Sequence, residues 1–196
     1  MIKAIVIDVG GVYVKGTRND VFSYLSKKFK VDLNNSIEYL YTRFNTGKID
    51  SEEFFKKISN KLKIDKHILK RAWLNAIKIK FKPDKNIEKI LKNLKESGYI
   101  LTTITNTNKF HLNFHRKAGN YKYFTVVIAS CEVGLLKPNK KIYLILMKRL
   151  KLKPEEILFI DNTEENLITA KRLGMKTITY TNPGNLKKTL SNLHIK

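Results

Sequence analysis

The stretch IKAIVIDVGGVYVKG, residues 2–16, indicates the fold of this chain and the position of its site. Residues 4–7 form an apolar run that is typical of a buried strand, and the run stops at the carboxylate of Asp8. Gly10 and Gly11 follow, and glycine lets backbone N–H groups approach an anion without a Cβ in the way. We therefore expect Asp8 to lie at the carboxyl end of a core strand, aimed at a phosphate group.

Four more apolar runs, rich in Ile, Val and Thr, have the length of buried strands. Helical patterns lie between most of them, and two of these helices end at a glycine, as helices often do. Strands that alternate with helices predict a parallel sheet covered on both faces. We therefore expect an α/β fold with a Rossmann-like, three-layer α/β/α arrangement. The four runs are residues 99–104, 124–129, 157–160 and 176–179.

The segment 17–81 breaks this alternation, because it contains several amphipathic helical patterns and no convincing core strand. Ser51 is expected to cap one of its helices, and residues 78–82, which alternate charged and apolar side chains, are expected to form a hinge strand. An insertion after the first strand would lie over the edge where open α/β sheets bind ligands. We therefore expect a core formed by residues 1–16 and 82–196, with an inserted α-helical cap at 17–81.

The chain has 196 residues and a single cysteine, Cys131. This length fits one domain, or a core domain with a smaller inserted lobe. One cysteine excludes an internal disulfide framework, so we expect a reducing, cytoplasmic location. The apolar run at 4–7 is too short for a signal peptide, and no run approaches the length of a membrane span.

The formal net charge is +22, from 39 basic and 17 acidic residues. Such an excess favours acidic partners: nucleic acid, anionic lipid or a phosphorylated metabolite. The lysines are spread over nearly every predicted helix rather than concentrated in one tail, which is typical of a general compositional bias. We expect a small phosphorylated metabolite as the partner, no membrane or nucleic acid partner, and a monomer or homodimer.

Polar residues useful to phosphate chemistry follow four of the predicted strands. The carboxyl ends of parallel strands share one edge of the sheet, so these side chains should converge. A carboxylate can attack phosphorus, a hydroxyl can hold phosphoryl oxygens, and a lysine can neutralise developing charge. A second carboxylate can join the first in binding Mg²⁺. In chain order these residues are Asp8, Thr105, Asn106, Lys137, Asp161 and Asn162.

Four short motifs, IVIDVGGV, ITNTN, GLLKP and FIDNTEEN, occur in this order along the chain. Together they resemble the four motifs of the haloacid dehalogenase-like (HAD) hydrolase superfamily, and the spacing resembles the subfamily with a small helical cap. TGKIDSEEFFKKI is similar to the usual sequence of that cap. The resemblance is greatest to bacterial sugar-1-phosphate phosphatases of the α-D-glucose-1-phosphate phosphatase type, and more distant to the phosphatase lobe of soluble epoxide hydrolases.

The resemblance implies a Mg²⁺-dependent phosphatase that forms an aspartyl-phosphate intermediate on a small phosphorylated metabolite, such as a sugar phosphate. It implies catalytic roles for Asp8 and Lys137. It implies metal ligands at Asp8, the Gly10 carbonyl, Asp161 and Asn162. It implies substrate contacts from Gly10, Gly11, Thr105, Asn106, Asn108 and Lys137.

Two positions depart from the family pattern. Gly10 occupies the position where related phosphatases usually carry a second aspartate, the general acid for the leaving group and then the base for water. Asn162 occupies a position where most relatives have a second acid, and either it or Asp161 would be the direct metal ligand. Protonation of the leaving group would then come from a cap residue, the substrate or water.

Two other functions follow from these departures. The 2-haloacid dehalogenases of the superfamily also lack the second aspartate and need no metal, so a metal-independent hydrolase of that type is one alternative. A catalytically weak or inactive HAD-like binding protein is the other. Outside the motifs, His111 is expected either at the mouth of the site or in a surface loop, and Trp73 in the cap core rather than as a stacking platform.

Overall fold

The computed structural model describes residues 1–195, except for the side chains of residues 34–36. Within this range the strands are β1 (Ala4–Ile7), β2 (Ile100–Thr105), β3 (Val126–Ala129), β4 (Ile157–Asp161) and β5 (Lys176–Thr179). They form one parallel sheet in the order β3-β2-β1-β4-β5, so β1 lies at its centre. The predicted α/β fold with a parallel sheet is therefore confirmed. No helix in residues 1–195 combines the length and apolar character needed to cross a membrane.

Both faces of the sheet are covered by helices. The helices after the insertion are α5 (Lys85–Glu96), α6 (Lys109–Lys117), α7 (Ser130–Val133), α8 (Lys140–Leu150), α9 (Glu164–Arg172) and α10 (Pro183–Asn192). Strand side chains alternate in direction, so Ile5 and Ile7 pack in a hydrophobic cluster with α5 and α10, while Ala4 and Val6 pack in a second cluster with α8 and α9. This burial on both faces explains why the opening run is continuously apolar.

The segment between β1 and α5 is helical. It contains α1 (Arg18–Phe29), α2 (Leu33–Asn45), α3 (Ser51–Leu62) and α4 (Lys66–Lys80). Its interior is aromatic: the ring of Trp73 lies 5.4 Å from Phe54, 5.6 Å from Phe55 and 5.8 Å from Phe22, all close to edge-on. These residues belong to the same hydrophobic cluster as Ile5 and Ile7 of β1. The division of the chain into a core domain (residues 1–16 and 82–196) and a helical cap (residues 17–81) stays a prediction.

Two local predictions in this segment are wrong. The cap of α3 is Asp50, whose side chain accepts a hydrogen bond from the backbone N of Glu53 at 2.8 Å, and Ser51 is the first helical residue. Residues 78–82 contain no strand, because α4 continues to Lys80. Ile79 is 53% exposed, so the alternation of charged and apolar residues there reflects a solvated helix end rather than a two-faced strand.

Candidate active site

Asp8 and Asp161 lie side by side because β1 and β4 are adjacent and in register. Ile7 pairs with Ile160, so Asp8, which follows β1, and Asp161, the last residue of β4, lie at the same level. The backbone N of Asp8 donates to the carbonyl of Ile160 at 3.0 Å, which extends the hydrogen-bond ladder to the backbone of Asp8. Thr105 ends β2, the neighbour of β1 on its other side. The topology therefore brings three of the predicted strand ends to one edge.

Lys137 joins the two carboxylates from the loop between α7 and α8. Its Nζ donates to Asp8 Oδ1 at 2.7 Å and to Asp161 Oδ2 at 2.6 Å. The side chains of Lys137, Asp8 and Asp161 are 2%, 12% and 0% exposed. One ammonium thus serves two carboxylates, and the buried cluster carries a formal charge of −1. A surplus negative charge out of water favours the arrival of a cation.

The pKa values of this cluster follow from burial and the three charges. Burial raises the pKa of Asp8 to about 6; the charge of Asp161 adds to the rise, and the Lys137 ammonium opposes it. Burial lowers the pKa of Lys137, but the two carboxylates outweigh that effect and the net shift is upward. At neutral pH Lys137 is therefore an ammonium, and Asp8 is mostly the carboxylate that a nucleophile must be.

Asp161 is held by hydrogen bonds to both of its carboxylate oxygens. Oδ1 accepts from the backbone N of Thr163 at 2.8 Å, and Oδ2 accepts from Asn166 Nδ2 at 3.1 Å as well as from Lys137. Asn166 is a residue of the site that the sequence analysis missed, although it is the last letter of the motif FIDNTEEN. Its position five residues after Asp161, in the first turn of α9, was the available signal.

Asn106 fixes the backbone of Lys137. Its Oδ1 accepts from the Lys137 N at 2.8 Å, and its Nδ2 donates to the Lys137 carbonyl at 3.0 Å. The loop after β2 is therefore tied to the loop that carries the lysine. Thr105 is buried and lines the cavity described below, as does Asn106. The phosphoryl contacts predicted for these two residues stay a prediction.

The glycine turn after β1 brings Asn162 close to Asp8's loop. Gly11 has a φ of +80°, and a Cβ at this position would lie 2.6 Å from Asn162 Nδ2. Only glycine therefore adopts this turn without displacing Asn162. The Gly11 N–H donates to the carbonyl of Val14 at 2.7 Å, so it is used within the turn. Gly10 and Asn162 line the cavity, and Gly11 does not.

A cavity of about 570 Å³ opens above this edge, between the core loops and the helical insertion. Arg18 and Glu38 lie on its wall, and Arg18 Nη1 donates to both carboxylate oxygens of Glu38, at 2.9 Å to Oε1 and 2.7 Å to Oε2. The insertion contributes polar groups as well as Tyr41. No sequence motif marks these residues. The insertion residues on the wall are Thr17, Arg18, Glu38, Tyr41, Thr42 and Asn45, with Phe81 just after α4.

Two buried histidines of α6, His111 and His115, also line the cavity. His111 Nε2 accepts a hydrogen bond from Trp73 Nε1 at 2.8 Å, and His115 Nδ1 lies 2.8 Å from Asn120 Nδ2. Burial lowers the pKa of His111 to about 3 and that of His115 to about 4, so both rings are neutral at physiological pH. Trp73 is fully buried, in the position expected of a core residue.

Asn108 lies behind this wall. Its Oδ1 accepts from the backbone N of His111 at 2.9 Å and caps α6, and its Nδ2 donates to Asn45 Oδ1 at 3.1 Å. It is fully buried and is not among the residues that line the cavity. Substrate binding by Asn108, as by Gly11, stays a prediction.

The donor atoms near Asp8 are of the type that Mg²⁺ prefers. Among residues 1–195 there is no group of three or more His, Cys, Asp or Glu side chains placed to hold a metal ion. Mg²⁺ does not need one, because it is commonly held by one or two carboxylates, substrate phosphate and several waters. Two carboxylates and one ammonium with a net charge of −1, at a cavity wall that also includes Gly10 and Asn162, fit such a cation.

This fold and edge arrangement define a hydrolase of the HAD-like class. The sequence profile of the haloacid dehalogenase-like hydrolases matches residues 2–174, and the chain belongs to this family. It is also similar to a HAD-like family hydrolase from Porphyromonas gingivalis, with a TM-score of 0.85, 26% identity and coverage of 100% of this chain and 99% of that one.

Two further similarities concern named enzymes. The chain is 25% identical to the D-ribitol-5-phosphate phosphatase of Bacteroides thetaiotaomicron, over 97% of this chain and 98% of that protein. It has the fold of a HAD family enzyme from the same organism, solved with magnesium and inorganic phosphate, with a TM-score of 0.80, 23% identity and coverage of 92% and 95%.

The first curated relatives that the chain matches are much longer proteins. One is mouse bifunctional epoxide hydrolase 2, which is 43% identical over 31% of this chain and 11% of that protein. The matches span only 9–16% of the length of these relatives. The predicted resemblance to epoxide hydrolases is confirmed by this local similarity.

Proposed function

We propose that this protein is a Mg²⁺-dependent phosphomonoesterase that acts on a small phosphorylated metabolite, a class that includes sugar phosphates. The observation that supports it most is the buried Lys137 ammonium, which bonds both Asp8 and Asp161 at the wall of a cavity of about 570 Å³. The similarity to a full-length D-ribitol-5-phosphate phosphatase supports the same reaction class. A monomer or homodimer and a cytoplasmic location belong to this proposal.

In the proposed mechanism the Asp8 carboxylate attacks phosphorus, and the alcohol leaves as an aspartyl-phosphate forms. Water then attacks this phosphate, releases inorganic phosphate and restores Asp8. Lys137 holds Asp8 ionised and neutralises charge on the phosphoryl oxygens, and Thr105 and Asn106 hold the phosphoryl group from the end of β2. Gly10 cannot act as the general acid, so the leaving oxygen must be stabilised by another group.

The proposed metal ligands are Asp8, the Gly10 carbonyl, Asp161 and Asn162. When bound, Mg²⁺ would supply charge that offsets the phosphate anion and the surplus carboxylate. Asn162 lines the cavity, whereas Asp161 is fully buried and hydrogen-bonded at both oxygens. The cation would therefore approach from the cavity, which Asp8, Gly10 and Asn162 line.

The test is turnover of a panel of phosphate esters with Mg²⁺ by the wild type and Asp8→Asn. Asp65→Asn is the matched control, because Asp65 is an exposed helix cap and asparagine also caps helices well. We expect ester hydrolysis by the wild type and the control, and loss of at least about a thousandfold in Asp8→Asn. Hydrolysis unaffected by Asp8→Asn would contradict the proposal.

The two alternatives are separated by additional assays on the same samples. Halide release from 2-haloacids without Mg²⁺, in place of ester hydrolysis, would establish the dehalogenase-type reaction. No turnover on any substrate, together with DNA affinity whose logarithm falls linearly with the logarithm of the salt concentration, would establish an inactive binding protein.

A further inference from the structure

The wall of the cavity formed by α6 includes the rings of His111 and His115, and the hydrogen bond of His111 to Trp73 fixes the tautomer of His111. Indole nitrogen is only a donor, so Trp73 Nε1–H can bond His111 Nε2 only if that nitrogen carries no proton. The ring is neutral, because burial lowers its pKa to about 3, so the single ring proton of His111 resides on Nδ1. The tautomer of His111 is thus determined by a residue of the helical insertion.

The Nδ1–H of His111 has no bonding partner among residues 1–195. Within this range the His111 side chain makes one hydrogen bond, in which its Nε2 accepts from Trp73, while its backbone N donates to Asn108 Oδ1. Three side-chain atoms in this range are fully buried without a hydrogen-bond partner: Arg43 Nε, Thr103 Oγ1 and Tyr121 Oη. His111 Nδ1 is not one of them, so part of its surface is accessible. His111 lines the cavity that contains Asp8, and this donor is therefore available to a molecule bound there.

The location of His111 matches the side of the cavity where a leaving group would extend. The groups proposed to hold the phosphoryl moiety include Thr105 at the end of β2 and Lys137 in the loop between α7 and α8, both in the core. His111 instead bonds Trp73 of α4 and packs against Phe81, with ring centroids 5.5 Å apart, at the junction of the core and the insertion. A phosphate ester held at Asp8 must direct its alcohol into the remaining volume, between these two parts.

We propose that His111 is a catalytic residue that donates its Nδ1–H to the leaving oxygen of the phosphate ester. It would take the place of the second aspartate, whose position is occupied by Gly10 in this chain. This inference rests on the proposed function. The imidazole keeps its proton throughout, because losing it would create an imidazolate, and the departing oxygen receives its proton from water. The contribution of His111 is therefore a hydrogen bond to developing negative charge rather than acid catalysis.

Two substitutions separate the cavity donor from the bond to Trp73. In His111→Asn the amide nitrogen takes the position of Nδ1 and retains the cavity donor, but the acceptor for Trp73 is lost. In His111→Gln the amide oxygen reaches the position of Nε2 and retains the bond to Trp73, but the cavity donor is lost. A purely structural role would make His111→Asn the more damaging change, whereas the proposed role makes His111→Gln the more damaging change for catalysis.

The experiment measures kcat/KM of the wild type and both variants on glycerol phosphate and on p-nitrophenyl phosphate, with Mg²⁺. The alkyl alkoxide needs stabilisation as it leaves, and nitrophenolate does not. We expect His111→Gln to lose about tenfold or more on glycerol phosphate and less than about threefold on p-nitrophenyl phosphate. We expect His111→Asn to lose less than His111→Gln on glycerol phosphate, and by the same factor on both esters, because it keeps the cavity donor. Imidazole ¹⁵N shifts should show the Nδ1–H tautomer of His111 in the wild type.

Results other than these would contradict either the role of His111 or the phosphatase proposal. Equal losses on the two esters in His111→Gln, or losses in His111→Asn as large as in His111→Gln, would overturn the role of His111 and leave the phosphatase proposal intact. An Nε2–H tautomer would overturn the role by a measurement that does not depend on turnover. A wild type that hydrolyses no ester of the wider panel would remove the phosphatase proposal, and the role of His111 with it.

Discussion

Lys137 is the residue on which the two buried carboxylates of the site depend. Removing the ammonium would leave Asp8 and Asp161 buried beside each other without the charge that now bonds both. Breaking a buried ion pair on one side is costly, because an uncompensated charge remains out of water. At the residue scale, the site is therefore also a determinant of stability.

We expect Lys137→Met to lower the free energy of unfolding by about 3–5 kcal/mol at pH 7.5, measured by urea denaturation. Mg²⁺ should restore more stability to this variant than to the wild type, because the cation replaces the missing positive charge. Lys148→Met, which removes an exposed lysine, serves as the control and should stay within about 0.5 kcal/mol of the wild type. Equal stability of the two variants would show that the lysine does not compensate the carboxylates.

Gly11 determines where Asn162 lies. We expect Gly11→Ala to lose both stability and Mg²⁺ affinity, because the new Cβ meets Asn162 in addition to straining the backbone. Gly98→Ala is the matched control: its φ is +87°, but no atom lies within 4 Å of the new Cβ. Both variants should lose about 1–2 kcal/mol from the left-handed backbone, while calorimetric titration should detect weaker Mg²⁺ binding only in Gly11→Ala. Unchanged Mg²⁺ affinity in Gly11→Ala would separate Asn162 from the metal.

At the scale of elements, α2 of the insertion is joined to the core through Ser130 at the start of α7. The Ser130 hydroxyl accepts from the backbone N of Thr107 at 2.8 Å and donates to the carbonyl of Asn45 at 2.7 Å, with Thr107 O also at 3.0 Å. Gly47 packs directly on the carbonyl of Cys131, where a Cβ would overlap that oxygen. These contacts hold the end of α2 over the cavity.

We expect Ser130→Ala to lower the free energy of unfolding by about 1–3 kcal/mol, because it leaves a buried N–H and a buried carbonyl without partners. Amide hydrogen exchange in residues 45–50 should accelerate, since the end of α2 loses its bond to the core. Ser191→Ala, at an exposed position, is the control and should change neither quantity. Faster exchange of residues 45–50 in Ser191→Ala, or unchanged exchange in Ser130→Ala, would contradict the role of this hydroxyl.

Helix α6 makes stability depend on pH through its two histidines. Their pKa values in the folded protein are about 3 for His111 and about 4 for His115, below the ordinary value of 6.5. Below pH 6.5 the unfolded chain therefore binds protons that the folded chain does not, and the contribution to stability that is complete above pH 6.5 is lost as the pH falls.

Between pH 7.5 and pH 5, we expect each histidine to lower the free energy of unfolding by about 2 kcal/mol. His115→Gln should abolish about half of the combined histidine effect when urea denaturation is compared at the two pH values. His67→Gln, at an exposed position, should leave the pH dependence as in the wild type. If His115→Gln retained the full dependence, the neutral buried state of His115 would be wrong.

At the scale of the whole molecule, the net charge of +22 on 196 residues means that positive side chains of the folded chain repel one another. Chloride salts screen this repulsion, and the Debye length falls from about 30 Å at 0.01 M to about 10 Å at 0.1 M. We expect the melting temperature to rise by several degrees between these salt concentrations. The same increase should appear with NaCl and KCl; a melting temperature that falls with salt would show that attractive ion pairs dominate over the net charge.

The sheet and the order of its motifs could be read from the sequence, because their signals are local. Residues 4–7 are apolar throughout since the strand is buried on both faces, and the observed strand occupies the same residues. The end of α4 could not be predicted in this way. Charged and apolar side chains that alternate, as in residues 78–82, occur both in strands and at solvated helix ends. Periodicity over so few residues does not distinguish the two.

What the sequence determined by itself is the α/β architecture and the set of polar residues at the strand ends, because strand burial and strand order bring Asp8, Thr105 and Asp161 to one edge. Only the tertiary structure decided that one ammonium bridges two carboxylates, and that Trp73 sets the tautomer of His111 from 38 positions away in the chain. These features depend on distances between side chains that are remote in sequence, and residue patterns along the chain do not encode such distances directly.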